Sequence, residues 1–139
     1  WALGELDLVH HGPWPLVPNP GRGPAAGIPV PLFNLVYHDA VVVPWLAERN
    51  RGGWGCPDSD ISWLYALATG AVPYFNFTDA EEQLRDKQVI CDLHSRVGCL
   101  EMTDHAFEDA GYRRSRTRFA DGTEVTIDQS DGSWRIAAG

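Results

Sequence analysis

The chain has 139 residues, which suffices for one modest hydrophobic core, and its composition is globular, with 44% hydrophobic and 22% charged residues. Its net charge of −8 argues against a nucleic-acid partner or an anionic membrane surface, because both need a basic face. No apolar stretch of the sequence approaches the roughly 20 residues that a membrane-spanning helix needs. The sequence starts at Trp1 rather than Met, so we expect a processed or partial polypeptide.

The cysteines of the chain are Cys56, Cys91 and Cys99. They form no C-x-x-C pair and their number is odd, so the sequence does not indicate a disulfide framework. A bridge between Cys91 and Cys99 is conceivable, but the ordinary role of small buried hydrophobic residues is favoured. The cysteines therefore leave the redox compartment open.

The N-terminal part of the sequence alternates between two predicted strands and two irregular segments. A short strand at 6–9 is followed by the Pro- and Gly-rich stretch 15–29, which can hold neither a helix nor a central strand. Loops of that length in compact proteins are usually functional. The run 33–43 is almost continuously apolar and predicts a buried strand of a parallel sheet covered on both faces. A second irregular stretch covers 49–57.

Two helices are predicted after this region. The first begins near Asp58 or Ser59, which can cap it, and Gly70 ends it. Its apolar face has helical spacing and consists of Ile61, Leu64, Tyr65 and Ala68. The second helix starts with a capping box at 78–81, and we expect it to end at Gly98 in a left-handed conformation.

The C-terminal residues have the pattern of antiparallel strands. An Arg-rich alternating segment at 113–119 is joined by the turn signal at 121–122 to a second alternating segment, 123–128. Another turn signal at 131–132 leads into 134–136. We therefore predict a β hairpin that continues into a third strand.

The pair His38-Asp39, preceded by Tyr37, interrupts the apolar run 33–43. Burial of such a pair costs free energy unless hydrogen bonds satisfy it. Polar groups of this kind are typical of the C-terminal mouth of a parallel barrel, where active sites are built. There Asp39 would accept hydrogen bonds from substrate hydroxyl groups and His38 would donate to one. The alternative is a buried pair that backbone and neighbouring groups satisfy.

His10 and His11 follow the strand 6–9 in the same manner. Together with His38 and Asp39 they could form a metal site, but no spacing of the HExxH kind supports one, so no metal is predicted. Contact with substrate and a plain surface role both remain open for the two residues.

Several tryptophans fall in or beside the irregular segments. Trp14, Trp45 and Trp54 could stack on the apolar face of a sugar ring, or could equally plug a small core. Trp63 lies on the first predicted helix and is expected to pack inside the protein.

The segments that carry these residues resemble the C-terminal portion of glycoside hydrolases related to family 101, the endo-α-N-acetylgalactosaminidases, and to family 129. The most specific parts are LVYHDAVV at 35–42, EMTDH at 101–105 and FADGT at 119–123. The resemblance implies an α/β fold, a C-terminal fragment of a (β/α)8 barrel followed by an antiparallel β segment. Residues 1–105 would hold the last strands and helices of the barrel, with 6–9 and 33–43 as its last two strands. Residues 106–139 would begin a β-sandwich-type domain.

The same resemblance implies a fragment of an enzyme that cleaves O-glycosidic bonds, with carbohydrate as its partner and no cofactor. The catalytic carboxylates are expected on earlier strands, outside this sequence, and the remainder of the parent barrel is expected to be needed for folding. Residues 46–49 depart from the commoner relatives, which leaves the sugar specificity open. The expected substrate-binding residues are Tyr37, His38, Asp39, His10, His11, Trp45 and Trp54.

Two other classes of function stay in view. The chain could be a non-catalytic carbohydrate-binding or interaction module that uses its tryptophans and the β hairpin. A weaker alternative is a small metal-dependent hydrolase built on the histidines.

Overall fold

A computed structural model describes residues 30–45, 62–73, 75 and 80–139 of the chain. None of the helices in these ranges is long and apolar enough to cross a membrane. Several predictions concern positions outside the described residues: the strand 6–9, the loop 15–29, His10, His11, Trp14, Trp54, Cys56, and the start of each predicted helix at 58–61 and 78–79.

The described residues form three helices and two small sheets. The helices are α1 (Leu32–Tyr37), α2 (Ser62–Ala68) and α3 (Glu81–Val97). Two strands pair in parallel, and they are β1 (Pro44–Trp45) and β2 (Val72–Pro73). The other strands form an antiparallel sheet in the order β3 (Met102–Phe107), β4 (Arg114–Phe119), β5 (Glu124–Asp128) and β6 (Trp134–Ala137).

The strand predicted at 33–43 is wrong: 33–37 belong to helix α1, 38–40 form a turn, and the strand β1 begins only at Pro44. A short apolar run does not separate a buried strand from a buried helix, because its continuous hydrophobicity hides the period. In the structure, burial differs between the faces of this helix: Asn34 is buried and Leu35 packs on the core, whereas Leu32 and Val36 are exposed. The parallel strand β1 follows directly after this run.

The parallel pairing joins Pro44 to Val72 and Trp45 to Pro73. Helix α2 lies between the two strands in the chain, and α3 follows the second, so the order β1–α2–β2–α3 is that of consecutive units of a parallel α/β fold. The parallel pair thus includes β2, which the sequence analysis did not predict. The described residues show this segment, and the closed barrel itself stays a prediction.

Helix α2 ends as predicted. Gly70 has a φ of 59°, the N–H of Ala71 donates to the carbonyl of Ala66 at 3.0 Å, and the N–H of Gly70 donates to Leu67 at 3.2 Å. This is the Schellman arrangement, in which a left-handed glycine lets the next residue close the last turn.

Helix α3 begins and ends differently from the prediction. Its first turn is capped at Ala80, whose N–H donates to Oε1 of Gln83 at 2.9 Å; alanine has no side-chain oxygen, so only this half of a capping box is made. At the other end Gly98 is right-handed, with φ of −60°, so the predicted left-handed stop is wrong. A Cβ at Gly98 would come within 2.6 Å of the His94 ring nitrogen Nε2, so a side chain there requires the ring to shift.

The predicted β hairpin and its third strand are confirmed, with Gly122 and Gly132 in left-handed turns. A further strand, β3, precedes them and pairs with β4, so the predicted division between residues 105 and 106 falls inside β3. The inner face of the sheet packs on α2 and α3 in one core. That core contains Trp63, Leu64, Ala66, Leu67, Ala68, Ala71, Ile90, Leu93, Val97, Met102, Phe119, Val125 and Ile127.

The outer face of the sheet carries a ladder of charges. Arg118 donates to Glu124 at 2.8 Å, and Arg116 lies 3.3 Å from Glu124 and 3.2 Å from Asp104. Hydrogen bonds from the arginines, that of Arg118 first, lower the pKa of Glu124. Single exposed ion pairs contribute little, but shared partners reduce the entropy each further contact costs.

A carboxylate organises the loop between β3 and β4. Asp109 accepts hydrogen bonds from the backbone N–H groups of Arg114 at 2.7 Å and of Gly111 and Arg113, both at 2.9 Å. These bonds, led by that of Arg114, lower the pKa of Asp109. The loop also holds Tyr112 at a φ of 56°.

We expect Gly70→Ala to destabilise the protein by at least about 2 kcal/mol. The left-handed backbone alone costs an alanine about 1–2 kcal/mol, and overpacking adds about 1–3 kcal/mol. A Cβ at this position would lie 2.9 Å from Cγ2 of Val97 and 3.0 Å from Nε2 of His38. The free energy of unfolding should be measured by urea denaturation of the longest stable polypeptide that carries the chain. Gly132→Ala, at a hairpin turn with φ of 76°, is the control for backbone strain. Equal losses in the two variants would contradict the packing argument.

We also expect the sheet to be sensitive to acid. The pKa values of Asp109 and Glu124 are lowered in the folded protein, so the unfolded chain binds more protons as the pH falls. Their stabilisation is complete above the unfolded pKa values of about 4 and is lost as the pH falls through the folded values. Asp109→Asn should be less stable at pH 7 and lose less between pH 4 and pH 2, as followed by circular dichroism. The same change at exposed Glu101, to Gln, should leave the acid transition in place.

Candidate functional site

The order β1–α2–β2–α3 gives this part of the protein two chemically different ends. The segments 46–61 and 74–80 follow the C-terminal ends of the parallel strands. The connections from α1 to β1, from α2 to β2 and from α3 to β3 come after helices and so meet at the opposite end. Ligands of parallel α/β folds bind beyond the C-terminal strand ends, and the other end usually serves stability.

His38 lies at this opposite end, where its ring contacts the segments that follow α2 and α3. The ring nitrogen Nδ1 lies 2.6 Å from the carbonyl oxygen of Leu100, and Nε2 lies 2.8 Å from that of Thr69. The side chain is only 6% exposed and its ring packs 5.1 Å from that of Phe119. A neutral imidazole has one N–H and can donate to one of the two carbonyls at a time. Both ring nitrogens are therefore engaged with backbone inside the fold.

A second histidine strengthens this cluster. Nδ1 of His94, on α3, lies 2.8 Å from the carbonyl oxygen of Gly70. The two consecutive carbonyls of Thr69 and Gly70, at the end of α2, are thus each approached by an imidazole. We call the set His38, Thr69, Gly70, His94 and Leu100 the histidine junction.

The neighbours of His38 do not share its environment. Asp39 is exposed, whereas His38 is buried, so the structure does not bring these two side chains into one pocket. Tyr37 is half-buried, with its ring 5.2 Å from that of Phe33. Their predicted contact with substrate stays a prediction, and the strand on which it was argued is α1 and a following turn.

At the other end, Trp45 is the last residue of β1, and Trp54 belongs to the segment that follows it. This order is the one expected of residues near a ligand. Phe75 comes two residues after β2 and is 58% exposed. The Nζ atom of Lys87, from α3, lies over its ring at 5.6 Å from the centroid. The sequence analysis missed Phe75 because β2 is only two residues long and gives no periodic signal.

The sequence analysis also singled out Trp63 and the cysteines. Trp63 is buried and meets Trp134 edge to face at 6.0 Å, which confirms its predicted packing role. Cys91 and Cys99 are free thiols, and burial raises the pKa of Cys91. Within ranges 30–45, 62–73, 75 and 80–139, no three His, Cys, Asp or Glu side chains are grouped to hold a metal ion.

The solved structures of one enzyme are similar to the whole chain, although no family model and no curated protein matches it. The α-N-acetylgalactosaminidase NagBb from Bifidobacterium bifidum, as a quadruple mutant, matches with a TM-score of 0.82 and 38% identity over 100% of this chain and 22% of that one. Its GalNAc complex matches with a TM-score of 0.78 and 36% identity, over 99% and 22%. Its Gal-NHAc-DNJ complex gives 0.79 and 34%, over 100% and 23%.

The chain therefore corresponds to less than a quarter of the length of the enzyme that it matches. The likeness supports a fragment of a glycoside hydrolase, which agrees in part with the resemblance stated from the sequence.

We expect His38→Phe to destabilise the protein by about 1–3 kcal/mol, because a ring of similar size removes the N–H that the imidazole donates to the carbonyl of Thr69 or Leu100. Exposed Asp39→Asn should change the free energy of unfolding by less than about 0.5 kcal/mol. Urea denaturation measures both. A His38→Phe variant as stable as the wild type but unable to bind sugar would favour substrate contact over the structural role.

Proposed function

We propose that the chain is a late part of the catalytic barrel of a glycoside hydrolase that acts on α-linked N-acetylgalactosamine, together with the beginning of a β domain packed on that barrel. The observation that carries the proposal is the likeness over the whole chain, at 34–38% identity, to an enzyme of that activity. Identity at this level over a complete segment supports a common fold and makes a common substrate class a reasonable proposal.

The arrangement of the described elements supports the barrel part of the proposal. A (β/α)8 barrel repeats a strand and a helix, and its adjacent strands are parallel. The order β1–α2–β2–α3 contains two such repeats with their strands paired. The antiparallel sheet then follows α3 directly, as expected where a barrel ends and an accessory domain begins.

In this proposal the chain contributes to sugar binding and does not supply the catalytic carboxyl groups. Glycosidases of most families use two carboxyl groups on either side of the scissile bond, one as acid/base and one as nucleophile or base, and need no cofactor. We place both on earlier strands of the barrel, outside this sequence. The chain would then line the mouth of the barrel and shape the sugar site.

The binding residues in this proposal fall into two groups. Trp45 and Trp54 follow the C-terminal end of β1 and are the favoured contacts, and His10 and His11 remain proposed contacts. Tyr37, His38 and Asp39, also predicted from the sequence, precede β1 and are less favoured, because the histidine junction already engages the ring of His38. No metal is proposed.

The test is hydrolysis by the full-length protein that contains this chain. We expect it to release p-nitrophenol from p-nitrophenyl α-N-acetylgalactosaminide with a kcat/KM about a hundredfold or more above that for the α-galactoside, because a site built to hydrogen-bond the acetamido group is left with unpaired polar atoms by its absence. The 139-residue chain alone should be inactive. Hydrolysis by the chain alone would contradict the placement of the carboxylates outside it.

Binding separates this proposal from its rival. Titration of the full-length protein with N-acetylgalactosamine, followed by calorimetry, should show saturable binding. A protein that binds the sugar but hydrolyses neither glycoside would instead be a non-catalytic carbohydrate-binding module.

A further inference from the structure

The most exposed aromatic side chain among the described residues is Phe75, at 58%. Two other exposed aromatic rings of this part of the chain have aromatic neighbours: Tyr112 lies 5.3 Å from Phe107 of β3, and Trp134 lies 6.0 Å from Trp63 of α2. Phe75 differs from both in its position, since it follows β2 at the C-terminal strand end where ligands of parallel folds bind. An aromatic ring exposed at that end of a parallel fold is a candidate for contact with a ligand.

A buried lysine lies over the ring of Phe75. Nζ of Lys87 lies 5.6 Å from the centroid of the Phe75 ring, within the range of a cation–π interaction. The Lys87 residue is 0% exposed and belongs to the middle of the 17-residue helix α3. Most lysines keep their head group in water and their position loose. Here burial restricts the Lys87 side chain, and its ammonium group lies over the ring of Phe75.

An exposed aromatic ring that a buried cation approaches is suited to a particular ligand chemistry. The open π face is electron-rich, so it attracts weakly positive C–H groups. A pyranose of galacto configuration presents several C–H groups on one side of its ring and its hydroxyl and acetamido groups elsewhere. Such a sugar can place these C–H groups against the ring while its polar groups point away from it.

We propose that Phe75 is a stacking platform for the apolar face of an N-acetylhexosamine ring, and that Lys87 is a positioning residue that acts through Phe75. The inference rests on the proposed function, because it names a binding residue of that same site. Phe75 contributes to binding of the sugar in the ground state and in the transition state alike, since it lies beside the ring rather than at a reacting atom.

Uniform binding of this kind predicts a specific kinetic signature. Loss of the ring should raise KM with little change in kcat, because both states lose the same contact. An aromatic stacking contact supports a change of about tenfold in affinity. We therefore expect Phe75→Ala in the full-length protein to raise both KM for p-nitrophenyl α-N-acetylgalactosaminide and Kd for free N-acetylgalactosamine about tenfold. Phe75→Trp should retain wild-type values within about threefold.

Two controls separate stacking from general damage. Phe75→Leu keeps apolar volume without a π face and should weaken binding nearly as much as Phe75→Ala. Tyr112→Ala removes an exposed aromatic ring from the loop between β3 and β4 and should leave KM and Kd unchanged. Thermal unfolding of each variant establishes that the protein is folded under the assay conditions.

The role of Lys87 is tested by a double-mutant cycle. Lys87→Met keeps the length of the stem without the charge and should raise KM about threefold, whereas Lys87→Arg should restore much of the binding. In a Phe75→Ala background, Lys87→Met should raise KM no further. A purely structural lysine would instead lower the stability and kcat to the same extent in both backgrounds, and that result would overturn its assignment as a positioning residue.

The outcomes for Phe75 are distinct from those for the proposed function. A wild-type protein that binds N-acetylgalactosamine without hydrolysing a glycoside disproves the enzymatic proposal, and the Kd values of the variants then decide the role of Phe75. Unchanged Kd and KM in a folded Phe75→Ala variant overturn the platform. Absence of any sugar binding by the wild type overturns both proposals.

Discussion

The structure depends on one buried ring. His38 lies where the connections after α1, α2 and α3 converge, and its two nitrogens reach carbonyls that are 31 positions away at Thr69 and 62 positions away at Leu100. These carbonyls belong to chain segments that have left their helices. A buried carbonyl without a donor costs about 1–3 kcal/mol, so the N–H of the ring stabilises the connection to which it donates, and the buried ring contacts all three. The packing at Gly70 follows from this, because no side chain fits between His38, Val97 and Phe119.

The histidine junction also separates the end of the fold that provides stability from the end at which a ligand is expected to bind. The histidine junction and the ring of Phe119 join the helix ends to the antiparallel sheet, so the sheet is part of the same core as α2 and α3 rather than a module attached by a linker. With the helix ends fixed in this way, the strand ends opposite are free to carry exposed groups such as Phe75. Rigid support at one end of a parallel fold and variable contacts at the other is the usual way in which such folds hold a binding site.

The sequence was informative where local chemistry decides the structure. The turn glycines Gly122 and Gly132 and the alternation along β4 and β5 identified the hairpin, because period-2 burial and left-handed turns leave direct marks in the residues. It failed where tertiary contacts decide. The apolar run at 33–43 has no period visible in its letters, and the two-residue strand β2 exists only through its pairing with β1. The parallel pair, and with it Phe75, could therefore not be found from spacing.

His38 shows why a correct observation led to the less favoured role. The sequence marked it as a polar residue in an apolar environment, which the structure bears out, since the side chain is 6% exposed. Burial alone does not distinguish a ligand-binding imidazole from one that pairs with backbone. The position of the residue before or after a parallel strand does distinguish them. Because His38 comes before β1 and not after it, the ring points to the carbonyls that end α2 and follow α3. In parallel α/β folds, the side of the strand on which a polar residue lies is thus a stronger guide to function than its burial.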